Sequence, residues 1–76
     1  MFLYATQYNE HWQIWLHNSQ TGKTDLYDFK TYVSYRGAFL AMEKIVKEKN
    51  DAYKIIIAAG KGLEEITALM EKAESL

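Results

Sequence analysis

His11 and His17 are the two side chains of this chain that most readily ligate a metal. Both lie in the run His11-Trp12-Gln13-Ile14-Trp15-Leu16-His17, which reads as a β-strand, so period 2 puts them on one face. Six residues at ~3.3 Å each hold them about 20 Å apart, too far to share an ion. No cysteine and no nearby acid completes a set, so the reading assigns no metal ligand and no cofactor. Nucleophiles are equally isolated. Ser19, Ser34 and Ser75 have no histidine at a readable spacing. Asp25 and Asp28, three apart in a predicted strand, point to opposite faces and cannot work as a carboxylate pair. Gly60-Lys61-Gly62 precedes a helix, where backbone amides attract anions. The full P-loop pattern is absent, and Glu64 and Glu65 would repel a phosphate, so the segment reads as a tight turn. The expectation is a binding module with no catalytic residues, not an enzyme.

The binding chemistry lies in the aromatic residues. Of the eleven, ten fall in the first 39 positions: Phe2, Tyr4, Tyr8, Trp12, Trp15, Tyr27, Phe29, Tyr32, Tyr35 and Phe39. Residues 2–8 and 11–17 predict two strands joined by Asn9-Glu10, a two-residue connection that favours a tight hairpin. Residue i then pairs with residue 19 − i. Tyr8 with His11, Thr6 with Gln13, Tyr4 with Trp15 and Phe2 with His17 share one side; Gln7 with Trp12, Ala5 with Ile14 and Leu3 with Leu16 share the other. A polar loop through Gly22 leads to a third strand over 24–32. Pairing 17 with 24 sends Tyr27 and Phe29 to the Ile14 side and Leu26, Asp28 and Lys30 to the Trp15 side.

The second half changes period. Tyr35, Phe39, Met42, Ile45 and Val46 recur at helical spacing, with Ser34 as N-cap and Asn50-Asp51 as stop. Residues 52–59 are apolar and predict a buried strand, parallel to a neighbour. A last helix carries Leu63, Ile66, Leu69, Met70 and Ala73 on one stripe. The whole reads as one small α+β domain, 1–76, in the order β-β-β-α-β-α: an antiparallel meander plus a fourth strand, with both helices packed on one sheet face. Phe39, Met42, Ile45 and Ile66 should pack on Ile14 and Leu16. The opposite face would display Phe2, Tyr4, Tyr8, His11, Trp15, His17 and Leu26 as a partner surface, with Trp15 at its centre and Trp12 pointing to the core. A patch of this kind normally marks an interaction site.

Charge narrows the partner. Nine Lys/Arg stand against ten Asp/Glu, for a net charge of −1, and no basic footprint for phosphate neutralisation emerges. The N-terminus lacks the basic region of a signal peptide, and even the longest apolar runs, Ile55 to Ala59 among them, are far below the ~20 residues of a membrane span. The absence of cysteine fits a reducing compartment, so a cytoplasmic location is expected.

The element order resembles the N-terminal half of the ribonuclease H-like fold, and its shortened form in HicB-type antitoxins, over nearly the whole chain. A nuclease of that fold places acids in the first strand, the first helix and the end of the fourth strand. Here Phe2–Tyr8 holds no acid, the fourth strand ends Ala58-Ala59-Gly60, and only Glu43 lies in the helix. The resemblance therefore implies no nuclease activity. The HicB-like likeness implies a small protein that binds and silences a larger protein. The expected function is an inhibitor or regulator of that kind, antitoxin-like or a phage-type anti-defence protein. A homodimer through the same surface is compatible with it. A single-stranded nucleic-acid module stacking bases on the aromatic face is the alternative.

Overall fold

A computed structural model describes residues 1–74 of the chain, so Ser75 lies outside the described residues. The fold is α+β, in the order β1 (Phe2–Tyr8), β2 (His11–Asn18), β3 (Lys23–Leu26), α1 (Tyr35–Glu48), β4 (Lys54–Ile55) and α2 (Leu63–Glu74). The four strands form one mixed sheet, ordered β3-β2-β1-β4. The hairpin register is the expected one at all seven pairs, from Phe2 opposite His17 to Tyr8 opposite His11. β3 adds antiparallel to β2 with His17 opposite Thr24 and Trp15 opposite Leu26. β4 runs parallel to β1, with Leu3 opposite Ile55.

α1 starts where its cap chemistry dictates. Ser34 has extended backbone, and its hydroxyl accepts a hydrogen bond from the Gly37 N–H at 3.2 Å. The helix stops at Asn50 and Asp51, which take φ of 53° and 61°, while the Asp51 N–H returns to the Val46 carbonyl at 3.0 Å. Its buried residues Ala38, Met42 and Ile45 pack on Leu3, Ala5 and Ile14, with Phe39, Leu16, Trp12 and Tyr27 around them.

α2 does not join α1. Its buried residues Ile66 and Met70 pack with Phe2, Tyr4, Ile56 and Ala58, on the face that α1 leaves open. The expectation of two helices on one face, and of Ile66 beside Ile14, is corrected here. The reason lies in β1, whose Phe2, Leu3, Tyr4 and Ala5 are all buried. A central strand apolar on both sides needs a cover on both, and the aromatic face is too large to leave wet. The turn after β4 makes the return possible: Gly60 takes φ +73° and the Lys61 N–H bonds the Ala58 carbonyl at 3.0 Å.

Two strands are shorter than expected, and one aromatic residue is misplaced by the shortening. Continued straight, the β2–β3 register would set Phe29 opposite Trp12. Tyr32 holds that place instead, with Trp12 N–H to Tyr32 O at 2.7 Å and Tyr32 N–H to Trp12 O at 2.9 Å. Three residues are looped out, and the Asp28 carboxylate accepts from the Lys30 N–H at 3.1 Å to close the local turn. Phe29 is thereby expelled and is 93% exposed, not buried beside Tyr27. β4 spans two residues of the apolar run 52–59, because β1 alone pairs with it.

Candidate functional site

The proposed partner residues divide into three groups. Phe2 and Tyr4 are buried under α2, Tyr4 keeping only 6% exposure. Tyr8 and His11 are exposed at the hairpin tip, where the His11 Nδ1 lies 3.0 Å from the Asn9 carbonyl. Trp15, His17 and Leu26 are half-buried on the β2–β3 part of the face, which α2 leaves partly open.

That open part is a cleft. It has a volume of about 380 Å³, lies between the start of α2 and strands β1–β3, and is lined by Tyr4, Thr6, Trp15, Thr24, Leu63 and Ile66, with Lys61 at its edge. Each wall has a local cause. The two registers set Tyr4 opposite Trp15, and Thr24 opposite His17 one step along the same face, so three neighbouring strands contribute to the wall. The turn at Gly60 delivers Lys61 and Leu63 from the opposite side. The Trp15 indole N–H donates to the Thr6 hydroxyl at 2.8 Å, which fixes the ring and satisfies its one polar group. The Thr24 hydroxyl lies 2.7 Å from the His17 Nδ1 and also bonds the Tyr4 side chain. Burial pushes the Tyr4 hydroxyl above its ordinary pKa, and the Thr24 bond pulls it partly back.

The cleft holds an indole, a phenol, two threonine hydroxyls, two aliphatic side chains and one ammonium. Leu63, at the rim, is 75% exposed. Lys61 lies 3.9 Å from Glu65, so an acid already stands beside its charge. Among the described residues, no group of three or more histidine, cysteine or acidic side chains comes together in a way that could hold a metal. No helix of the described residues is long and apolar enough to cross a membrane.

Sequence reasoning missed Thr6, Thr24, Lys61, Leu63 and Ile66 as site residues. Leu63 was legible as the first residue of an apolar helical stripe, but only the side on which α2 packs sets it beside Trp15. No family model, curated protein or solved structure matches the chain.

Proposed function

We propose that this chain is a non-enzymatic protein-binding domain, a small cytoplasmic inhibitor or regulator of the antitoxin or anti-defence kind, which docks onto a larger protein through the Trp15–Leu63 cleft. One observation carries the reading: Leu63 is left 75% exposed at the mouth of an apolar cleft whose floor is a fixed tryptophan. An ordered aromatic floor with an unburied aliphatic rim is the form in which binding hot spots recur, because an incoming apolar side chain displaces water there without reordering the site. The likeness of element order to HicB-type antitoxins points the same way. Base stacking is the competing use of such a floor, but it requires cations to follow the phosphates. The cleft lining offers Lys61 alone, and Glu65 faces it.

Leu63→Glu tests the reading, because the side chain is exposed and the fold does not need it. Tagged wild-type and variant chains are compared for the proteins they retain from the source cell or its host. The expected result is a partner held by the wild type, lost with Leu63→Glu at an unchanged melting temperature, and insensitive to salt. Retention of the partner by the variant would remove the cleft from the account. An oligonucleotide bound with a steep salt dependence would replace a protein partner with a nucleic acid.

A further inference from the structure

The sheet has a second open feature, on the edge away from the cleft. The Lys54 N–H donates to the Met1 carbonyl at 2.9 Å and the Ile56 N–H to the Leu3 carbonyl at 2.8 Å, so both residues turn their backbone toward β1. Alternation turns the backbone of Ile55 and Ile57 outward. Burial alternates past β4: Ile56 and Ala58 are buried, whereas Ile57 is 51% exposed. Three consecutive isoleucines are strong strand formers, yet only a two-residue strand forms, with its outer side open.

The two edges of the sheet differ in how they are protected. β3 carries exposed Lys23 and Asp25, charges that discourage pairing. The run 52–59 has Lys54 as its only charge and no proline. Beside it runs an apolar groove of about 370 Å³, formed with α2 by Ile57, Leu69 and Ala73 and flanked by Lys61 and Lys72. Lys54 pairs with Phe2, whose side chain lies on the α2 face, so Lys54 projects to the groove side. Cations therefore stand at both ends of the edge, Lys54 before the isoleucines and Lys61 after them, with apolar surface between; Glu65 lies 3.9 Å from Lys61 in an exposed and weak pair.

We propose that the β4 edge accepts an extended strand from a partner protein, adding a fifth strand, and that the groove-facing side chains of that strand run acidic, apolar, acidic at every second position. Main-chain bonds to Ile55 and Ile57 give the addition its direction, and the groove reads alternate side chains. The apolar residue sits over Leu69 and Ala73, and the acids meet Lys54 and Lys61. A second copy of this chain fits less well. Antiparallel self-pairing about Ile56 would set Lys54 of one copy opposite Ala58 of the other, so its charge would meet no acid there. Lys61 borders both surfaces, whereas Lys54 and Ile57 belong to the edge and Trp15 and Leu63 to the cleft, so the Lys54 and Ile57 readouts stand or fall independently of the cleft.

The test uses the intact chain and a synthetic peptide with the core Glu-Thr-Val-Thr-Glu, against a matched peptide with lysine for glutamate. The acidic peptide should slow amide exchange at Ile55 and Ile57 and leave Thr24 and Leu26 unchanged. Lys54→Glu should weaken its binding about threefold to fivefold. Ile57→Glu should abolish it, whereas Leu63→Glu should have no effect. Equal binding of the lysine peptide, no protection by either peptide, or protection at Thr24 and Leu26 instead would overturn the proposal. So would protection of Ile55 and Ile57 in concentrated protein without peptide, which would make the occupant a second copy. If Ile57→Glu fails to fold, the exchange pattern of the wild type and the Lys54→Glu titration still decide.

Discussion

Asn9 and Glu10 join β1 to β2 with φ of 50° and 65°. Both lie in the left-handed region that suits the twist of a two-residue hairpin and favours glycine at its second position. Asparagine tolerates that conformation, whereas glutamate pays for its Cβ there. Glu10→Gly should therefore stabilise the chain by about 0.5–1 kcal/mol, read as a higher midpoint in denaturant. A second local cost lies at Tyr35, whose ring packs on Trp12 and Phe39 and whose hydroxyl is buried with no hydrogen-bond partner among the described residues. Removing an unsatisfied polar atom removes its desolvation cost, so Tyr35→Phe should raise stability by about 1 kcal/mol. The same burial raises the Tyr35 pKa, as it does for Tyr4 and for Tyr32, where the Asp28 charge adds to it. A phenol whose folded pKa lies above its unfolded value favours the folded state while it stays protonated. That stability is full below the ordinary tyrosine value of 10.0 and is lost as the pH rises above it. A melting temperature that falls above that pH, and falls less steeply in Tyr35→Phe, is the expected profile.

At the scale of elements, the hairpin was legible because a two-residue turn and period 2 together leave one register, and all seven pairs follow it. The limits of α1 were legible from Ser34 and Asn50-Asp51, which cap through local bonds. The face taken by α2 was not. An apolar stripe requires a cover but does not say on which side of a sheet, and both faces of β1 are apolar. Phe29 was not legible either, since it fits the alternation of β3 and is displaced by a side-chain turn at Asp28. The placement of α2 has a direct consequence. Met42→Ala and Ile66→Ala empty different cores, one on each face, and each should cost about 2–5 kcal/mol. Only Ile66→Ala should also increase acrylamide quenching of Trp15, measured in a Trp12→Phe background. Unchanged Trp15 quenching in Ile66→Ala would contradict the packing of α2 on the aromatic face. Trp15 itself serves both fold and cleft, so Trp15→Ala should lower stability by about 2–3 kcal/mol and is a poorer probe of binding than Leu63→Glu.

The whole molecule is a sheet covered on both faces, with two places where the cover stops short. One is the cleft where α2 begins, and the other is the edge where β4 runs out. A chain of 76 residues has little core to spare, so exposed Leu63 and Ile57 weigh more here than in a large protein. The cleft is proposed as the docking site for a larger protein, and its outline is specific enough to be mapped. The decisive measurement is amide and indole chemical-shift mapping of the intact, isotope-labelled chain as the captured partner is added. Shifts should concentrate at the Trp15 indole N–H, Thr6, Thr24, Lys61 and Leu63, and should spare Tyr8 and His11 at the hairpin tip and Phe29 in the β3–α1 loop. Shifts confined to the hairpin tip or to Phe29, with the Trp15 indole unmoved, would contradict the account.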